Sequence, residues 1–418
     1  MKYILLLFAV TTFCVQAQNI NGRISSSVYM YDRFYSTTES DFVARGFQTL
    51  NLNVNEGIFS LRSSMAFENF INTGTAGRSR FYNLYLEARN LFKAATVKVG
   101  RQPLFMGLAA SVFDGASIDV RYKEFGLKGF YGGNVPAYQK FELTKNFSDD
   151  FIGGAELSTS IIPYTDFSVG YIHKNFMPQD YTTTRLDDNN NPIALLIQQK
   201  SNQFRYMHAR VLFDAGPQLN VNARYEYDLN YKTTSKVEFE ANHRWQDKAS
   251  FSIYYNYMDP KIRYNSIFSV FDFGNTSEIE LGASYDFMDD YTVNARVGRV
   301  LFEDESSDRI SLGVITPYGT LTYRKNLGIA GELDGISLYT ARTYFDGLLT
   351  PSIGLSYSSY KLSDDDKKND LLTIMAGVNL RAIRWLSFDT QIQYLNNPIY
   401  KKDLRFLFKI NYWFNTNL

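Results

Sequence analysis

Between Gln218 and Arg244 the chain alternates in twos. Leu219, Val221, Ala223, Tyr225, Tyr227 and Leu229 fall on one side, and Asn220, Asn222, Arg224, Glu226 and Asp228 on the other. After a short polar link, Val237, Phe239 and Ala241 oppose Lys236, Glu238, Glu240, Asn242 and Arg244. A period of two marks a β-strand, because successive side chains point to opposite faces. Runs of about ten residues exceed the usual five or six of a soluble sheet. At that length, one apolar, aromatic face and one charged face suit a tilted strand crossing a bilayer within a closed barrel.

The alternation recurs along the chain. Ile24, Val28 and Met30 share a face. Tyr82, Leu84, Leu86 and Ala88 oppose Asn83, Tyr85, Glu87 and Arg89, and Ala116, Ile118 and Val120 oppose Ser117, Asp119 and Arg121. Met207, Ala209, Val211 and Phe213 oppose Tyr206, His208 and Arg210; Val293, Ala295 and Val297 oppose Asn294 and Arg296. This pattern predicts an all-β fold, a transmembrane antiparallel up-and-down barrel of about 22 strands, within a range of about 18 to 26. Short connections (Asn55-Glu56, Phe92-Lys93, Asp214 to Gly216, Met288 to Asp290) alternate with long ones (Ile71 to Ser79, Pro103 to Asp114, Asn175 to Asn202, Asp259 to Gly274, Leu362 to Asp370). That asymmetry places the N-terminus in the periplasm and the long loops outside.

The start of the chain fits export. Lys2 precedes an apolar run from Ile4 to Val15, and Val15-Gln16-Ala17 is a small-residue cleavage site. Residues 1–17 are therefore expected to be a signal peptide, leaving 18–418 as one barrel domain. Reading Cys14 as a lipoprotein cysteine fits poorly, because the preceding Phe13 is bulky. Cys14 is the only cysteine, so the mature chain would offer neither disulfide nor thiolate ligand. Past the leader no apolar run of about 18 residues occurs, which excludes a membrane-spanning helix. The outer membrane of a Gram-negative cell is the expected location; a secreted soluble β-protein is the alternative, and its strands should be shorter. The 43 basic and 43 acidic residues balance, which gives no electrostatic case for nucleic acid.

Val97 to Asp119 reads VKVGRQPLFMGLAASVFDGASID. Its Gly100-Arg101-Gln102 and Phe113-Asp114-Gly115-Ala116 resemble the corresponding stretch of alginate-export and related OprD-like outer-membrane porins. The resemblance covers about two dozen residues and implies a region feeding a pore-lining loop, with Arg101, Gln102 and Asp114 lining the pore. Strict alternation puts Arg101 on the face of Val97 and Val99, toward lipid. Either a bulge at Gly100 turns it inward, or it sits at the headgroup level. The plainer alternative is a structural turn. The apolar residues of Pro103 to Phe113 are expected to fold into the barrel as a constriction or to meet a partner. Asn175 to Asn202 poses the same choice, with loops packing on one another at the rim as the alternative.

The predicted lumen carries Lys98, Asp119, Arg121, Arg210, Arg224, Glu226, Glu238, Glu240 and Arg296, beside other charges of both signs. Neither sign dominates in that count, so strong ion selectivity is not expected. Catalysis has little support: His173, His208 and His243 are far apart in sequence, and no GxSxG, HExxH or Walker pattern occurs. No enzyme activity, cofactor or metal is expected. The aromatic last strand, Leu404, Phe406, Phe408, Ile410, Tyr412 and Phe414, resembles the signal read by the barrel-assembly machinery, although the chain runs on to Leu418.

Two functions fit. One is a porin or channel passing small hydrophilic solutes or an anionic substrate through a mixed-charge lumen narrowed by inward loops. Arg101, Arg121, Arg210 and Arg224 are then the expected solute contacts. The other is a scaffold sheathing a partner, such as a multihaem cytochrome, whose cofactor would belong to the partner. Copies of this chain could also associate.

Overall fold

A computed structural model describes residues 19–417, apart from 37–38, 73, 75, 107–108, 136–140, 177–180, 187–190, 198–202, 265–272, 304, 329–330, 362–366 and 399–401. The expected signal peptide lies outside the described residues. The first strands are β1 (Asn19–Phe34), β2 (Ser40–Glu56), β3 (Phe59–Phe70), β4 (Arg78–Leu91), β5 (Ala95–Met106), β6 (Ala109–Tyr122), β7 (Phe125–Asn134), β8 (Phe151–Thr159) and β9 (Thr165–Lys174). A small hairpin follows, β10 (Tyr181–Leu186) and β11 (Pro192–Ile197). Then come β12 (Phe204–Asp214), β13 (Leu219–Asp228), β14 (Thr233–Trp245), β15 (Ala249–Met258), β16 (Thr276–Met288), β17 (Tyr291–Phe302) and β18 (Glu305–Thr316). The last are β19 (Gly319–Gly328), β20 (Glu332–Ala341), β21 (Leu349–Lys361), β22 (Asn369–Ile383), β23 (Leu386–Asn396) and β24 (Asp403–Asn417).

Twenty-two of these strands form one antiparallel sheet, and β10 and β11 pair only with each other. The sheet closes on itself: β24 pairs with β1 from Asn417↔Asn19 to Phe406↔Met30. Closure satisfies every strand edge, which is the condition for strands to cross hydrocarbon. The period-two pattern decides the two faces. Leu86, Val99, Ile118, Leu127, Leu157, Ile253, Leu281, Val297, Leu312, Ile353 and Ile392 all lie exposed on the outside. Phe92, Tyr122, Phe125, Trp245, Tyr318, Phe345 and Trp385, also exposed, ring the end that carries both termini. An apolar band edged by aromatics is the outer surface of a barrel in lipid.

The chain is a transmembrane β-barrel of the outer-membrane type.

The connections alternate as expected, with two corrections. The turn after β2 is Gly57-Ile58, two residues beyond Asn55-Glu56, with Gly57 at φ 54°. Pro103 to Asp114 is no long loop. β5 and β6 stay paired up to Met106↔Ala109, and only 107–108 lies between them. Leu104 and Met106 are buried while Phe105 between them is exposed, so the period of two simply continues past Pro103. The longest connections are 135–150, 175–203 and 259–275, all at the end away from the termini.

Gly100 has φ 127°, and a Cβ there would lie 2.4 Å from the Leu84 carbonyl oxygen. No L side chain fits that backbone without strain. Gly100→Ala is expected to lower stability by more than about 2 kcal/mol, read as a shifted midpoint in denaturant unfolding of the lipid-reconstituted barrel.

Candidate functional site

Ten of the twelve residues singled out from sequence share the inner face: Lys98, Gln102, Asp119, Arg121, Arg210, Arg224, Glu226, Glu238, Glu240 and Arg296. Cross-strand pairing fixes this. Asp119, Lys128, Glu156, Gly170, His208, Glu226 and Lys236 are successive partners from β6 to β14. They alternate with exposed apolar residues such as Leu127, Leu157 and Met207. Along this row Lys128 Nζ lies 3.4 Å from Glu156, and the His208 Nε2 position lies 3.0 Å from the same carboxylate. The His208 ring lies against Gly170, where a Cβ would meet its Cε1 at 2.3 Å. Toward the termini a cavity of about 310 Å³ opens beside the row, lined by Arg121, Lys128, Glu156, Asp166, Ser168 and Arg210. Gln102 is held by the wall itself, donating to the Gly115 carbonyl at 3.1 Å and accepting from the Ser117 hydroxyl at 2.6 Å.

Arg101 and Asp114 do not line the lumen. The β4–β5 and β5–β6 registers pass Gly100 without a shift, so no bulge turns Arg101 inward. It stays on the face of Val99, yet only 2% of it is exposed. The reason is the connection between β7 and β8, whose residues 141–147 lie against the outer wall. Arg101 Nε and Nη2 donate to the two Asp114 oxygens at 2.7 and 2.8 Å. Nη2 also donates to the Glu142 carbonyl at 2.5 Å, and the Thr144 N–H donates to Asp114 at 2.8 Å. The Phe81 and Phe141 rings, 4.5 Å apart, fasten the same segment.

Nearer the long-loop end the inner wall turns apolar. Leu104, Met106, Phe113, Phe130, Ile152, Ile172 and Tyr206 form one buried cluster across six strands. Part of its cover is the segment 259–264 that leaves β15. Lys261 Nζ reaches Glu226 at 2.5 Å and sits 5.1 Å from the centre of the Tyr206 ring. Tyr264 donates its N–H to the Gln203 carbonyl at 3.2 Å and packs edge-on against Tyr231. Glu226, also paired with Arg224, is fully buried.

Apart from Lys98, the sequence did not point to the basic sector on β1 to β5. The inner face there carries Arg23, Arg45, Arg62, Arg78, Arg80 and Lys98, the partners of Asn51, Tyr29, Asn53, Glu68, Ala66 and Glu87. Glu68 is shared by Arg45 and Arg80, and Glu87 by Arg62, Arg89 and Lys98. Among the described residues, Arg23 and Arg78 have no carboxylate within ion-pair distance. Arg45 is stacked on Phe47 and Phe70. Halfway round the ring, Glu238 and Glu240 on β14 and Glu278 and Glu280 on β16 flank Tyr254. Lys236, Arg296 and Arg309 pair with three of these four carboxylates. Alternation alone reveals which face a charge takes; assigning faces in β2 and β3 would have exposed the basic sector.

The three histidines do not converge. His208 is on the inner face, and His173 and His243 are on the outer one, beside Arg205 and Phe251. Among the described residues no group of three or more His, Cys, Asp or Glu is placed to hold a metal.

No family model matches the chain, and no curated protein matches it. Solved structures that align with it include the translocation pore of the P pilus usher PapC, at 12% identity over 94% of this chain and 99% of that one, TM-score 0.44. OccAB4 of Acinetobacter baumannii aligns at 10% identity over 96% and 99%, TM-score 0.45. A BenF-like porin from Pseudomonas fluorescens Pf-5 aligns at 9% identity over 97% and 100%, TM-score 0.43. Likenesses of this size decide neither ancestry nor function.

Proposed function

We propose that this barrel is an outer-membrane channel for small hydrophilic solutes, with a preference for anions. The supporting observation is the inner wall: a closed ring of ionic and amide side chains in which β1 to β5 carry more guanidinium and ammonium groups than carboxylates. Charge of one sign gathered on one wall biases ion passage even when the whole chain is neutral. Arg121 and Arg210, at the inner cavity, and Arg224 remain the proposed solute contacts, joined by Arg23, Arg62, Arg78 and Arg80. Arg101, expected among them, is on the outer face beneath residues 141–147 and does not belong to this set. The inward segment 259–264 supplies the proposed constriction. Of the GRQ and FDGA stretches that resemble alginate-export and OprD-like porins, Gln102 keeps to the inner face; removal of residues 1–17 on export and insertion by the barrel-assembly machinery are part of the same proposal.

The test is single-channel conductance of the folded chain in a planar bilayer, with reversal potentials under a salt gradient. Resolved steps and an anion-selective reversal potential are expected. A second reading, a scaffold around a protein partner, is favoured by width, since 22 strands enclose more space than side chains fill. No conductance from a barrel shown to be folded by heat-modifiable gel mobility would reject the channel and favour the scaffold.

A further inference from the structure

Glu226 and Lys261 are unequal partners. The Glu226 side chain is wholly buried, while 34% of the Lys261 side chain is exposed. Glu226 keeps a second cation, Arg224, on its own strand. Among the described residues, Glu226 is the only carboxylate within ion-pair distance of Lys261. The segment that carries Lys261 begins at Asp259, whose N–H donates to the Ser235 carbonyl of β14, and reaches Gln203, just before β12. It therefore crosses about three strand spacings, roughly 15 Å of the inner wall. Its other ties include one N–H to the Gln203 carbonyl, one aromatic edge contact with Tyr231, and the Lys261 ammonium over the Tyr206 ring.

We propose that residues 259–264 form a latch across the lumen face of β12 to β14, held by Lys261 on Glu226 and loosened when an anion in the lumen takes Lys261. The asymmetry in exposure sets the direction. A solute can approach Lys261 from the lumen, whereas a cation cannot reach Glu226. Once Lys261 leaves, Glu226 still has Arg224, so opening strands no lone buried charge. The middle of the segment is tied to the wall through Lys261, and without that tie the chain entropy of an irregular segment favours its release. The passage then widens along β12 to β14. This gate rests on the channel reading and deepens it.

Arg263 gives a tryptic site within the segment. In the folded, reconstituted barrel, Lys261→Met is expected to speed cleavage after Arg263 by about tenfold or more, while Lys261→Arg stays near wild type. Sodium sulfate should speed cleavage in wild type relative to sodium chloride of equal ionic strength, which removes plain screening from the comparison. It should have no such effect in Lys261→Met, and a control peptide corrects for the protease. In the bilayer, Lys261→Met should raise mean current. Joining Tyr231→Cys to Tyr264→Cys with a short bifunctional thiol reagent should return that variant to the lower level. Equal cleavage of wild type and Lys261→Met overturns the latch. A sulfate effect of equal size in both overturns the role of the anion. A conducting barrel whose current ignores Lys261→Met overturns the gate but leaves the channel. A barrel silent in every variant overturns channel and gate together.

Discussion

Replacing Arg101 with methionine should destabilise the barrel by about 3–5 kcal/mol, the usual cost of leaving one member of a buried ion pair alone. Asp114 would be stranded beneath residues 141–147 on the outer wall, with, among the described residues, only the Thr144 N–H and hydroxyl still donating to it. Asp114→Leu should cost a similar amount, because it abandons a guanidinium of which 2% of the side chain is exposed. The double variant Arg101→Met/Asp114→Leu should recover part of the loss. No charge is then buried unpaired, and what remains is chiefly the unsatisfied Thr144 N–H, worth about 1–3 kcal/mol. Denaturant unfolding in lipid vesicles reads all three. Were the pair instead exposed to water, each single variant would change stability by less than about 1 kcal/mol, and the segment could not be packed on the wall as described. A further consequence is visible without unfolding: the single variants should expose 141–147 to protease while the barrel keeps its heat-modifiable mobility.

The second large effect concerns the lumen. Arg23, Arg62, Arg78 and Arg80 changed together to glutamine should turn the channel from anion to cation preference. Glu68 keeps Arg45, and Glu87 keeps Arg89 and Lys98, so both buried carboxylates remain paired and the wall stays intact. Each lumen charge acts across a few ångströms of water, screened over about 8 Å in physiological salt. Four of them should together change the anion-to-cation permeability ratio by about tenfold, because each is worth a few tenths of a kcal/mol. The reversal potential in a salt gradient would change sign. Glu238→Gln with Glu240→Gln, on the opposite wall, should move it the other way. If the four-arginine variant conducts with an unchanged reversal potential, ions do not pass along β1 to β5, and the proposed selectivity is wrong.

Alternation of apolar and polar residues was enough to read a closed barrel of about 22 strands, its outer and inner faces and the end that carries the long loops. That is local information, because a strand repeats every two residues and a lipid-facing wall leaves no freedom about which residues face out. Asp119, Arg121, Arg210, Arg224 and Glu226 took their faces from this rule alone. Arg101 shows where the rule stops. Its parity was legible and correct, but not the segment from 141–147, some forty residues on, that covers it. The length of β5 and β6 was misread for a related reason: Pro103 and Gly107 look like loop punctuation, yet burial of Leu104, Met106 and Phe113 in one cluster keeps the pairing going.

What the sequence by itself determined about this protein is the wall, since strand period, strand length and the sign of each face are properties of consecutive residues. What only the tertiary structure decided is the content of the wall's two surfaces. A ring of strands brings β3 opposite β16, gathers arginines from four strands into one sector, and sets Lys261 on Glu226 thirty-five residues away. Such meetings depend on closure and on where loops fall back, and neither leaves a local trace in the order of residues.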